Sequence, residues 1–262
     1  MQKILLISVF FFTTSLVFAS KRDTLWNQTD KQGHKQGFWR VNYENGKIKY
    51  TGFFKDNKPL GELKRYYDDG TIKAIQYFES NNKSRVKMYY QNGVLAGEGN
   101  FIGLMKDSIW KYYSFYDKGL KLMENYTNGV KEGNSVKYYA NGKIAEEISW
   151  HNNQKHGPWK QYYEDGSIKL SANYMNDIRY GTFISYYPSG KTEVKGNFEN
   201  DNMQGEWSYY DENGNIKTKI NYINGVPQNV KELQEKENEY FKVIDENKGK
   251  FPEPDENNIV PN

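Results

Sequence analysis

No cysteine occurs in the 262 residues. That excludes disulfides, thiolate metal sites, a cysteine nucleophile and a lipid-modified cysteine. Aliphatic residues are also scarce. Hydrophobic residues make up 37% of the chain and aromatics alone 16%. Buried area must therefore come largely from Tyr, Phe and Trp, each contributing roughly 1.5–3 kcal/mol when fully buried. A thick Leu/Val core is excluded, and a thin aromatic layer fits. There are only three histidines, His34, His151 and His156, and none belongs to a helical metal-binding pattern. No Ser–His–Asp order, phosphate loop or dinucleotide fingerprint appears. Acid pairs such as Asp68-Asp69 and Glu146-Glu147 are neighbours in turns or strands. Neighbours in a strand face opposite sides, so they do not cooperate easily as acid and base. We expect no catalytic residue, no metal and no cofactor.

Long apolar runs are missing after the first twenty residues. Lys3 and the stretch from Ile4 to Phe18, followed by Ala19, read as a signal peptide over 1–19 cleaved before Ser20. The run is shorter than the ~20 apolar residues a comfortable membrane span needs. The reading places the mature chain outside the cytoplasm: periplasmic, at the cell surface or secreted. The net charge is +3. Residues 228–262 hold five Lys against nine Asp plus Glu, which leaves about +6 on the mature body. That charge is spread among many carboxylates, too dilute for a nucleic-acid footprint. It leaves weak peripheral contact with an anionic membrane open.

What is present is a repeat. The stretch GPWKQYYEDGSIKLSANYMNDIRY, residues 157–180, recurs with variation eight times. A marker glycine follows the paired aromatics at 46, 70, 93, 119, 142, 166, 190 and 214, in steps of 23 to 26 residues. Self-similarity at such a period means an array of one supersecondary unit. Turn words such as ENG, EDG and PSG precede two-residue alternation with one apolar side, the pattern of a half-buried strand. The joints between units (DNKPLG, NNQKHG, NDIRYG) are also turns. We expect an all-β repeat fold, an elongated antiparallel meander of about eight hairpins and roughly sixteen strands, with a C-terminal helix. The fourth unit carries two extra residues between Trp110 and Gly119, which predicts a bulge or a longer hairpin end.

The expected organisation is a half-repeat cap over 20–36, where Leu25 and Trp26 cover the first edge, and repeats over 37–227. A capping helix over 228–249 and a disordered tail over 250–262 follow. A two-residue marker turn sets Tyr163 across from Ile168 on the side of Trp159, with Tyr162 on the outer side. A three-residue turn with a bulged glycine exchanges them. The first arrangement is preferred because it puts Trp159 inside.

The pattern G-x-W-x-x-Y-Y-x-x-G-x-I, with N-G-x-x-x-G joints, resembles the MORN repeat in its bacterial exported variant, over about residues 28–227. Chains of this kind are often labelled antitoxin components of toxin–antitoxin systems. The resemblance implies an elongated single-layer β-structure that binds proteins or, in some cases, acidic phospholipids. Three functions follow as expectations. One is a non-catalytic exported surface for another protein or an envelope component. The others are an antitoxin-like neutraliser and a glycan-binding or glycan-active envelope protein. The candidate contact residues are Tyr66, Tyr89, Tyr138, Tyr162, Tyr186 and Tyr210, a row roughly 10 Å apart.

Overall fold

The computed structural model describes residues 25–79 and 82–229, together with seven positions between 234 and 246. The expected signal peptide and the tail beyond 249 lie outside the described residues. Within the expected C-terminal helix, positions 234, 235, 238, 239, 242, 243 and 246 have helical backbone and are exposed. Any docking of that helix on the last hairpin lies outside the described residues.

The body is one open sheet of twenty strands, of which four are two-residue pieces and sixteen are long. Each long strand pairs antiparallel with the long strands next to it in sequence. The chain is therefore a meander of eight hairpins, as the turn spacing predicts.

Two kinds of turn alternate. The marker turns are three-residue loops. In the stretch 157–180, Tyr163 N–H donates to the Ser167 carbonyl (2.9 Å) and Gly166 N–H to the Tyr163 carbonyl (2.9 Å). Gly166 has φ +93°, a value that favours glycine. The Asp165 carboxylate accepts the Ser167 N–H (2.8 Å) and closes the loop. The preferred two-residue turn is thus corrected: Tyr162, not Tyr163, pairs with Ile168. The inner side is nevertheless preserved, because a second irregularity follows at once. Gln161 pairs with Leu170, so Lys169 is an extra residue in its strand. This bulge cancels the shift of the loop. Trp159 then faces Ala172, and alternation leaves Tyr163 on the side of Trp159 and Tyr162 on the other. The two-residue turns occur at the joints instead. Asn152-Asn153 and Asn176-Asp177 both have positive φ, as type I′ turns require. In the fourth unit the loop is four residues long, from Ser114 N–H to the Gly119 carbonyl. There Lys118, not Gly119, holds the left-handed conformation.

The core is one row of side chains across the strands. It runs from Trp39 through Gly52 and Leu63 to Gln76 and Val86. It continues through Trp110, Glu124, Ser135, Ile148 and Trp159, and ends through Phe183, Gly196, Trp207 and Ile220. Leu63, Val86, Trp110, Ile148 and Trp207 are among the most buried apolar residues. Beside this row lies a second, wholly aromatic one: Phe54, Phe78 and Phe101, then Tyr126, Trp150, Tyr174, Phe198 and Tyr222. The joint glycines Gly37, Gly61, Gly133, Gly157 and Gly205 stand opposite members of it. Each of these glycines has positive φ, the conformation that favours glycine.

A one-layer core leaves much to the rims. On the marker-turn rim, the second tyrosine of each pair donates to the carbonyl of the first tyrosine in the next repeat. The rungs are Tyr43 to Tyr66 (2.7 Å), Tyr67 to Tyr89 (2.8 Å), Tyr90 to Tyr113 (2.9 Å), Tyr139 to Tyr162 (2.5 Å), Tyr163 to Tyr186 (2.6 Å) and Tyr187 to Tyr210 (2.7 Å). The rung to Tyr138 is missing because the donor position holds Ser114. Tyr163→Phe should lower stability by about 1 kcal/mol, the net value of one such bond. Ser114→Tyr should raise it by a similar amount by supplying the missing rung. Urea denaturation decides both; an unchanged midpoint for Tyr163→Phe contradicts the ladder.

At the first edge, Gln28–Thr29 pairs with the start of Lys35–Asn42. Asn27 Oδ1 accepts the Arg40 N–H (2.8 Å), and the Arg40 guanidinium lies 4.5 Å from the Trp26 ring centre. Leu25 itself is exposed.

Candidate functional site

The six candidate tyrosines lie on the side of the sheet away from the tryptophans, one per repeat. All are half-buried. The backbone carbonyls of all but Tyr138 accept a ladder bond, so what each offers a partner is its ring and hydroxyl. Tyr162 is already engaged: its hydroxyl donates to Glu147 Oε2 (2.6 Å). Tyr113 occupies the same position in the fourth unit and donates to Glu98 Oε1 (2.8 Å). Burial and the facing carboxylate push both phenols up to about 12. The structure thus sets the six on one side but gives Tyr162 an internal partner.

The opposite side carries a row that the sequence reading passed over. Four residues before the core-row position of the first strand, five of the eight repeats have a cation: Lys35, Lys106, Lys131, Lys155 and Arg179. Each sits over rings of its own unit. Lys35 Nζ lies 4.7 Å from the Trp39 ring centre and 5.2 Å from those of Tyr50 and Phe54. Lys106 covers Trp110, Tyr112 and Tyr126 in the same way. Such cation–π contacts contribute roughly 0.5–2 kcal/mol each, more as they are desolvated. The joint turn of the next repeat fixes the cation's backbone. Asn57, Asn153, Asp177 and Asp201 accept the N–H of Lys35, Lys131, Lys155 and Arg179. For four of the five the available sequence signal was the Lys or Arg two residues before the joint glycine; after Lys106 that position holds Ser108.

The histidines stand in the joints and are exposed or nearly so. His151 Nδ1 is 2.9 Å from Glu132 Oε1, and His156 Nδ1 is 3.1 Å from Asn176 Oδ1. His34 meets Asp30 (3.2 Å), and with Asp56 the three bring ligand atoms within 4.8 Å of one another. The Gln36 amide already donates to both Asp30 (3.2 Å) and Asp56 (2.6 Å). The arrangement therefore has a structural explanation, pinning the cap to the first joint.

In the first three repeats the cation-bearing side forms a groove of about 1240 Å³, lined by Tyr50, Phe54, Leu63 and Phe78 among others. Seven Lys or Arg line it, against two carboxylates, Asp56 and Glu79.

Comparison with known proteins agrees with this geometry at the level of the repeat. The MORN repeat variant matches at residues 35–56, 59–80, 85–102, 131–152, 155–176, 179–200 and 203–224. The gap falls on the fourth unit, the one with the longer loop and the missing ladder rung. No curated protein matches the sequence. Two solved structures of TarM show weak likeness. One crystal structure is 15% identical over 39% of this chain and 20% of that one, with a TM-score of 0.28. The other, an S. aureus TarM mutant in complex with fondaparinux, alpha-GlcNAc-glycerol and UDP, is 12% identical over 46% and 21%, with a TM-score of 0.29. The chain thus spans about a fifth of these proteins, and likeness at this level carries no argument. Seven matched units in register, on hairpins that share one core row and one pair of rim ladders, make this chain a member of the MORN repeat variant family.

Proposed function

We propose that the chain is a non-catalytic, exported scaffold whose repeated sheet faces hold another protein or a component of the cell envelope. The observation that carries this reading is the periodic presentation of like side chains. A tyrosine on one side and a cation over rings on the other recur with the repeat, roughly 10 Å apart for alternate strands. An extended ligand meets the same chemistry several times over, and weak contacts multiply along a rigid array. The described carboxylates and histidines that cluster are engaged in turns and joints, which favours a binding role over a catalytic one.

Photo-crosslinking on intact cells tests the reading. A cross-linker at Tyr89, Tyr138 or Tyr186 should capture one envelope or secreted component above background. Recovery of no partner from any of the three positions overturns it.

A further inference from the structure

Two of the three histidines meet at one joint. His151 and His156 belong to the hairpin between the fifth and sixth repeats, so the metal pattern they could make is that of a hairpin end and not of a helix. His151 pairs with Gln154 across the Asn152-Asn153 turn. His156 is then its diagonal neighbour, a spacing that aromatic side chains bridge. It lies in a bulge: between the pairs Ile148–Trp159 and Trp150–Lys155, three residues of one strand stand against Ser149 alone. Gly157 inside the bulge has φ +101°. The two imidazole ring centres are 5.9 Å apart, with their planes at 64°.

The neighbouring joints orient both rings. His151 Nδ1 meets Glu132 Oε1 (2.9 Å) from the joint before, and His156 Nδ1 meets Asn176 Oδ1 (3.1 Å) from the joint after. Glu132 is itself fixed, because its other oxygen accepts the Asn152 N–H (3.0 Å). An ionised carboxylate and an amide oxygen only accept, so each neutral ring carries its proton on Nδ1 and a lone pair on Nε2. The Asn152 amide agrees, since it donates to His151 Nε2 (3.0 Å). Among the described residues nothing bonds to His156 Nε2.

An oxygen acceptor on one ring nitrogen and a lone pair on the other is how metal-ligating histidines are held. The separation fits as well. A zinc ion about 2.0–2.1 Å from each Nε2 lies about 3.2 Å from each ring centre, so two rings that share it stand about 5–6.5 Å apart. The observed 5.9 Å falls inside that interval. We propose that His151 and His156 bind one divalent ion of the zinc or copper class through their Nε2 atoms, with Glu132 and Asn176 as positioning residues. Imidazole suits these ions, whereas magnesium and calcium take oxygen ligands. On binding, the Asn152 amide gives up His151 Nε2, and water completes the coordination of an ion at this exposed joint. The cluster at His34 differs, because the Gln36 amide already stands between Asp30 and Asp56. His34 is therefore the internal control.

Calorimetric titration of the mature chain, purified without a histidine tag, tests the site. Zinc should bind once per chain, and magnesium should give no saturable heat. His151→Ala and His156→Ala should each abolish saturable zinc binding, and His34→Ala should leave it unchanged. Glu132→Ala should weaken it roughly 10–100-fold, the usual cost of removing the partner that orients a ligating histidine. Long-range proton–nitrogen spectra separate positioning from folding. The metal-free parent should show both rings protonated at Nδ1, and zinc should shift the Nε2 resonance of both. In Glu132→Ala the His151 proton should redistribute between the two nitrogens while His156 keeps its tautomer. A parent that binds no zinc saturably overturns the proposal. So does binding that survives both single histidine variants, or that is lost equally in His34→Ala. Partner capture at the tyrosine row needs no ion, so this proposal and the scaffold reading fail separately.

Discussion

Gly196→Ala should destabilise the protein by about 1–3 kcal/mol, the usual cost of forcing a methyl into a filled core. The Trp207 ring lies flat over Gly196, and a Cβ there would approach several ring carbons well inside 3.0 Å. The indole cannot slide away. Its Nε1 donates to the Asn197 carbonyl (3.1 Å), and Phe198 (5.0 Å) and Phe183 (5.5 Å) pack against it. Trp110 repeats the arrangement over Gly99, with its Nε1 on the Asn100 carbonyl (3.0 Å). Neither glycine has a positive φ, so alanine meets no backbone strain. Its smaller unfolded-state entropy would favour folding by roughly 0.4–1 kcal/mol. The steric term is larger and sets the sign. Gly52→Ala is the graded control, because its Cβ meets the end of the Leu63 side chain, which can rotate. Urea denaturation should rank the losses 196 and 99 above 52. Trp207→Leu should rescue Gly196→Ala in a double-mutant cycle. A Gly196→Ala protein as stable as the parent would refute the flat-ring core.

The parts of this fold that were legible in the sequence are those set by period. Marker glycines fixed the number of hairpins, and alternation after each glycine fixed which residues share a side. The marker-turn register was harder. The words EDG and ENG suit either a two-residue or a three-residue loop. The bulge that cancels the longer loop at Lys169 has no residue signature, since lysine is ordinary at an exposed position. Trp159 therefore faces Ala172 for a reason different from the one expected. The cation row was visible as letters but not as function. A lysine in a polar joint reads as solvated until its backbone is seen pinned by the next joint's Asn or Asp. The tyrosine ladder hid for the opposite reason: a pair such as Tyr162-Tyr163 looks like two similar rings. Only the structure separates the hydroxyl that closes the rim from the one facing Glu147.

Glu124→Ala should cost about 3 kcal/mol, the low end of what breaking a buried ion pair costs. Glu124 stands in the central row, where the same strand of other repeats places Gly, Gln, Ile or Ala, and its side chain is 11% exposed. Lys131 Nζ meets Oε1 at 2.6 Å and the Tyr126 hydroxyl donates to Oε2 at 2.7 Å. Removing the carboxylate leaves Lys131 without its partner beneath the Trp150 ring, 4.3 Å away. Replacing both partners by apolar residues, Glu124→Leu with Lys131→Met, should match or exceed the parent, since an apolar pair has no charge to desolvate. Acid separates the variants further. Burial pushes the Glu124 carboxyl up, but Lys131, Tyr126 and Lys106 outweigh it and hold it below its ordinary value. A depressed folded-state pKa gives stability that is complete above the unfolded value and disappears as pH falls through the folded one. The parent should therefore lose stability on acidification more steeply than the apolar double variant. The loss should be local. In an array where each unit touches only its neighbours, the seam between the fourth and fifth repeats already lacks the rung at Ser114. Hydrogen exchange in Glu124→Ala should rise there first, splitting the sheet into two blocks. Uniform exchange along all eight repeats would show that the array unfolds as one unit and that the seam is no weaker than its neighbours.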